Sequence, residues 1–184
     1  MYYSQKKNFM FVHIPKTGGQ AVKHQLVPYV AIDKSVTYPC HISAQRLQEE
    51  FDDFNILYKF GFVRNPWDRI VSWYHFSKNR IALPAIFKDF IELMEQGAVY
   101  RPLMMTEMLC DKDGKLLVDF VGRYETLQED FNKVCVDIGI DTRKLHLVNP
   151  SKHKPYQECY TPALVESVRR LYQKDIETFK YSFE

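Results

Sequence analysis

The stretch Phe9-Met10-Phe11-Val12-His13-Ile14-Pro15-Lys16-Thr17-Gly18-Gly19 decides how this chain folds. An apolar run of β-formers stops at a proline and a glycine pair, and a helical pattern from Gly19 to Leu26 follows at once. A strand that turns tightly into a helix leaves the first helical N–H groups unpaired, aimed along the positive end of the helix dipole. Gly18 and Gly19 let an anion approach that backbone with no Cβ in the way. Lys16 adds a mobile charge and Thr17 a hydroxyl donor.

A second segment repeats the arrangement. Leu57 to Val63 (LYKFGFV) reads as a strand, and Pro66 opens a helix with Trp67, Ile70, Val71 and Tyr74 at i, i+3, i+4 and i+7. Arg64 follows the strand directly, at the edge where open α/β sheets bind ligands, and its planar fork suits a phosphate. Ser72 lies eight residues on (72 − 64), close to two turns into the helix, and meets the same phosphate only if the chain bends back. Asn65 is placed to cap the turn. Arg69 reads as solvated or paired with an acid, and Trp67 and Trp73 as core or pocket wall. Two anion cradles on one scaffold fit a nucleotide carrying phosphate at two separate places.

The first cradle is not the usual nucleotide triphosphate loop, in which lysine follows the glycines as GxxxxGK[ST]. Here lysine precedes them, and no acidic residue stands out as a magnesium ligand. A P-loop kinase therefore lacks the residue it most needs.

The remaining pattern alternates strand and helix. Ile42 to Phe51 reads as a helix with Ser43 as N-cap, Pro84 to Glu95 as an amphipathic helix, and Thr126 to Ile138 as a helix ended by Gly139. Met104 to Phe120, with the turn Asp111-Lys112-Asp113-Gly114, reads as a hairpin or an irregular excursion. Asp33 to Pro39 and Asn149 to Tyr160 read as loops, and Thr161-Pro162 starts a last helix running through about Lys174 or beyond. The expected fold is a three-layer α/β fold with a P-loop-like central parallel β-sheet flanked by helices. One domain over 1–184 is expected, with no repeat or linker.

Composition narrows the partners. With 46% hydrophobic and 26% charged residues, 13 Phe and 12 Tyr, the chain is globular rather than disordered. A net charge of +2 calls for neither nucleic acid nor an anionic membrane surface, so any anion site is local. The N-terminus Met1 to Lys7 is too polar for a signal peptide, and no run approaches the roughly 18 apolar residues of a span. Taken as complete, the chain reads as cytoplasmic. Cys40, Cys110, Cys135 and Cys159 are scattered with no metal spacing, and free buried thiols are expected.

The segments FVHIPKTGG at 11–19, FGFVRNPWDRIVSWY at 60–74 and GRYETLQEDF at 122–131 resemble a known family. With the closing stretch Asn149 to Phe183 they are similar to sulfotransferases that use 3′-phosphoadenosine 5′-phosphosulfate (PAPS). The similarity is to the carbohydrate branch, with heparan 2-O- and chondroitin sulfotransferases and small bacterial relatives. The resemblance implies that Lys16, Thr17, Gly18 and Gly19 hold the 5′-phosphosulfate, and that Arg64 and Ser72 hold the 3′-phosphate. Many relatives carry Ser or Thr at or just after Gln20. Gln20 with Ala21 departs from that pattern, and its amide remains as a donor. Lys152 and Tyr156, with Ser151, stand in the late loop as contacts to the 3′-phosphate or adenine. The implied product is adenosine 3′,5′-bisphosphate, with no metal.

Sulfuryl transfer needs a base for the acceptor proton and positive charge at the leaving oxygen. Lys16 fits the second role. His41, ahead of the second strand, is the expected base, because related enzymes use a histidine at a similar point and imidazole ordinarily titrates near neutrality. His13 and Glu125 are the competitors, the first expected to orient the turn and the second to pair with a basic residue. The acceptor implied is a hydroxyl of a glycan or glycolipid. A P-loop kinase, or a non-catalytic protein that keeps the fold and binds a sulfated or phosphorylated partner, are the alternatives.

Overall fold

The structure is a computed structural model that describes residues 2–30, 41–78, 80–146 and 154–184. The strands are β1 (Tyr2–Ser4), β2 (Phe9–Val12), β3 (Tyr58–Val63) and β4 (Phe120–Arg123). The helices, in chain order, are α1 (Gly19–Leu26), α2 (Ala44–Glu50), α3 (Pro66–Ser77), α4 (Phe87–Glu95), α5 (Met105–Leu109), α6 (Leu127–Asp137), α7 (Pro162–Leu171) and α8 (Gln173–Phe179). Two compact units result. One joins Met1–Val63 to Met105–Val148 and the other joins Arg64–Met104 to Asn149–Glu184.

The first unit holds the sheet, in the order β1-β2-β3-β4. β2, β3 and β4 run parallel and β1 lies antiparallel on the edge, so this is the mostly parallel α/β sheet flanked by helices that the alternating pattern predicts. All four residues of β2 are buried, as a strand covered on both faces requires. Phe9, Phe11, Phe60 and Phe62 face a core shared with Ala21, Val22 and Leu26 of α1 and Phe131 and Val134 of α6. Each such burial contributes about 2 kcal/mol. Gly61 faces the opposite side, where a Cβ would stand 2.7 Å from Leu109 Cδ2 and 3.2 Å from the Val12 carbonyl. Glycine there lets α5 press against the strand backbone. β2 and β3 are parallel neighbours, so the chain leaves both at the same edge of the sheet.

The second unit is helical. Trp67, Ile70 and Tyr74 of α3 pack with Phe90, Ile91 and Met94 of α4 and with Leu164 and Val168 of α7. Asn65 caps α3 as expected, its Oδ1 accepting from Trp67 N at 3.1 Å, and Pro66 occupies the first turn. Ser43 likewise caps α2, accepting from Arg46 N.

Several elements differ from the sequence pattern. β1 is only three residues, whose pairing comes from the open edge of β2 rather than from any apolar run. The 104–120 excursion contains a helix, α5, before an isolated antiparallel bridge of Cys110 with Leu116 around the Asp111–Gly114 turn. α4 begins at Phe87, three residues later than Pro84. The last helix breaks at Tyr172, whose hydroxyl donates to the Pro102 carbonyl at 2.8 Å. Arg69 is not solvated but 1% exposed, with Nη1 donating to the Leu103 carbonyl at 2.8 Å. A guanidinium tolerates burial when fixed carbonyls meet its donors. Among the described residues no helix is long and apolar enough to cross a membrane.

The turn from β4 into α6 is organised by Asp130. Its Oδ2 accepts from Arg123 N at 2.9 Å and from the Thr126 hydroxyl at 2.7 Å, and Lys133 pairs with Oδ1 at 3.0 Å. Burial works to raise this carboxyl, but the hydrogen bonds outweigh it and hold it below the usual carboxylate range. A depressed carboxyl stabilises the fold above its unfolded pKa of about 4 and loses that contribution as pH falls. Asp130→Asn should cost about 1–2 kcal/mol at neutral pH in urea denaturation, the gap closing as pH drops below about 4.

Candidate functional site

Beyond Val12 the chain turns through left-handed backbone at Lys16 (φ 68°) and Gly18 (φ 79°). For glycine that conformation is free, whereas lysine bears a strain of about 1–2 kcal/mol, a cost found where function overrides comfort. Thr17 is fully buried, and its hydroxyl donates to the Ile14 carbonyl at 3.0 Å, stapling the turn. Gly18 stands at the N-cap of α1 with no side-chain cap. The opening N–H groups of α1 therefore have no side-chain cap, an arrangement that suits an anion. Lys16 is half-buried in the turn, and Gln20 is exposed on the first helical turn.

Both glycines are required by close neighbours. A Cβ on Gly18 would stand 2.6 Å from Leu127 Cδ2 and 3.1 Å from Tyr124 Cδ2, so the turn after β4 closes one side of the cradle. A Cβ on Gly19 would overlap the imidazole of His13 at Cδ2 and Nε2. His13 is 6% exposed and stacks on Phe11, with ring centroids 5.6 Å apart. Burial, then the neighbouring His41, pulls its pKa down to about 3, so His13 stays uncharged.

His41 is exposed, with its ring centroid 4.6 Å from that of His13. Its Nδ1 lies 2.9 Å from the His13 carbonyl. A carbonyl only accepts, so the proton in this bond belongs to Nδ1, and the neutral ring then carries its lone pair on Nε2. The backbone of one histidine thus sets the tautomer of the other. Glu125 is exposed in the turn between β4 and α6.

The second cradle lies in the helical unit. Arg64 is buried, and its Nε donates to Asp68 Oδ2 at 2.8 Å, which folds the guanidinium back along the first turn of α3. Ser72, 2% exposed, lies one turn beyond Asp68. Asp68 and Ser72, four residues apart in α3, share a helix face, and Arg64 is tied to the first of them. Tyr156 is held beside Asn65. Its hydroxyl accepts from Asn65 Nδ2 at 3.2 Å and donates to the Glu184 carbonyl at 2.6 Å. Asn65 Nδ2 also donates to the Ser182 carbonyl at 2.8 Å. Lys152, with Ser151 and His153, lies outside the described residues.

Three participants escape the motif reading: Asp68, Tyr124, and His13 as the ring over Gly19. Asp68 is recoverable from its i+4 spacing to Arg64, whereas the other two depend on contacts between distant segments. Among the described residues no three His, Cys, Asp or Glu side chains are grouped so as to hold a metal ion.

The model of a family described as the Sulfotransferase family matches residues 1–182. In structure the chain is similar to mouse sulfotransferase SULT7A1 complexed with PAP, with a TM-score of 0.61 over 95% of this chain and 86% of that one, at 14% identity. A sulfotransferase from Alicyclobacillus acidocaldarius matches with a TM-score of 0.43 and 18% identity, over 76% of this chain and 60% of that one. In sequence the chain is similar to an uncharacterized protein of Archaeoglobus fulgidus, 36% identical over 88 residues, which are 44% of this chain and 67% of the relative.

Gly19→Ala tests the close approach directly. The new methyl group must displace the His13 ring, and the cost should be about 1–3 kcal/mol in chemical denaturation. An unchanged denaturation midpoint would show that the ring has room to yield.

Proposed function

Because the chain belongs to the sulfotransferase family, we propose that it transfers a sulfuryl group from PAPS to a hydroxyl acceptor. The observation that carries the reading is His41, whose Nδ1 is committed to the His13 carbonyl so that Nε2 is left to take a proton. A protein that only bound an anion would need no such base. The fold relative complexed with PAP, and the motifs that resemble those of PAPS enzymes, support PAPS as the donor.

The residues fit that donor. The turn at Lys16 to Gly19 offers uncapped N–H groups where glycine keeps the approach open, and Lys16 adds positive charge. These residues are assigned to the 5′-phosphosulfate, with Thr17 holding the turn through Ile14 and Gln20 adding an amide donor at its rim. Arg64, oriented by Asp68, and Ser72 are assigned to the 3′-phosphate, with Lys152 and Tyr156 as further contacts. When bound, PAPS supplies the sulfuryl group and its phosphate leaving group. The chain does the rest. His41 Nε2 accepts the proton of the acceptor hydroxyl, Lys16 stabilises the charge that grows on the leaving oxygen, and backbone N–H groups hold the surrounding oxygens.

The acceptor is assigned to a carbohydrate hydroxyl, on a glycan or glycolipid, from the resemblance of the motifs to the carbohydrate branch. A single sulfotransferase domain over 1–184 is in keeping with a family match that runs through both units.

Two measurements test the assignment. Lys16→Ala and Arg64→Ala should each weaken binding of adenosine 3′,5′-bisphosphate by about 10-fold or more in calorimetry, and unchanged affinity would remove the residue from the site. His41→Ala should bind that nucleotide normally while transfer from labelled PAPS to a panel of glycan, glycolipid and phenol acceptors drops by about 100-fold or more. Retained turnover would rule His41 out as the base.

A further inference from the structure

We infer that His13 is a hydrogen-bond donor of the first cradle, presenting its Nε2–H to the anion held at the start of α1. The inference rests on the anion-binding role proposed for that turn, and adds to it a contact that the lysine-glycine motif does not contain.

Four observations lead there. The ring is fixed, stacked on Phe11 and flanked by the His41 ring, so it has one orientation to offer. Its Nδ1 is closed off from solvent with no hydrogen-bond partner among the described residues. A neutral imidazole carries one proton, and a dry N–H is a rarer and costlier orphan than a dry lone pair. The proton therefore belongs on Nε2. That nitrogen occupies the space a Gly19 Cβ would take, beside the first residue of α1, where the helix leaves its N–H groups uncapped.

The chemistry suits an oxyanion. Nε2–H next to the positive end of a helix is disfavoured while the cradle holds no charge, and an anion reverses that sign. Donor and anion then stabilise one another. His13 also differs from Lys16 in kind. Burial and the adjacent His41 hold the ring neutral, so its hydrogen bond persists across the physiological range while adding no net charge. Gly19 acquires a second purpose: it admits the anion, and it admits the imidazole that meets it.

The test uses the full-length protein and does not depend on turnover. Long-range nitrogen–proton correlation spectra should show His13 as the Nε2–H tautomer, unprotonated between about pH 5.5 and 8. Its Nε2 resonance should shift as adenosine 3′,5′-bisphosphate is added. In calorimetry His13→Gln, whose amide nitrogen falls near the position of Nε2, should bind the nucleotide within about 3-fold of wild type. His13→Asn and His13→Phe should lose about 10-fold or more. An Nδ1–H tautomer, or Asn and Phe variants that bind like wild type, overturns the contact. Should His13→Phe fail to fold, the Gln and Asn pair and the wild-type spectra still decide. A wild-type protein that ignores the nucleotide, yet whose His13 Nε2–H shifts with inorganic pyrophosphate, keeps this contact and overturns PAPS as donor. No shift with either probe overturns the contact itself.

Discussion

The geometry of the turn from β2 into α1 depends on one close approach, that of the His13 imidazole to the Cα of Gly19. No side chain fits between them. The ring can lie there because Phe11 supports it from beneath and because burial keeps it neutral. With the ring in place, the strand must turn at once, and the turn passes through left-handed backbone at Lys16 and Gly18. That in turn leaves α1 without a side-chain cap. The uncapped helix start thus sits beside a close packing contact.

The two strand-to-helix turns are organised by different physics. In the first, uncapped N–H groups and a lysine are arranged by a turn whose hydroxyl staple, Thr17 to Ile14, faces inward. In the second, a guanidinium is aimed by a carboxylate. Asp68 gives up part of the positive charge at Arg64 in exchange for a fixed direction, a fair trade where bidentate geometry matters more than net charge. Asn65, between strand and helix, ties the start of α3 to Tyr156 and to the Ser182 carbonyl, so the position of that arginine depends on residues more than ninety places away.

Much of this is legible in the sequence because it is local. The β2-to-α1 and β3-to-α3 transitions, the caps at Ser43 and Asn65, and the stop at Gly139 all follow from residues within a few positions of one another. What the pattern misses is either short or made by distant partners. β1 pairs only because β2 offers an edge, α5 is five residues long, and Arg69 is read as solvated or paired with an acid because its carbonyl partner, Leu103, is 34 positions away.

By itself, the amino-acid sequence determined the fold class, the two strand-to-helix turns and their order, since each rests on hydrophobic period, glycine freedom and a helix start. Only the tertiary structure decided what those turns can do chemically. The proton of the His41 ring is placed by a carbonyl 28 residues earlier in the chain, and Gly18 is enclosed by Tyr124 and Leu127 from the far side of the sheet unit. Tautomer, burial and close approach are properties of neighbours in space, and a linear pattern does not carry them.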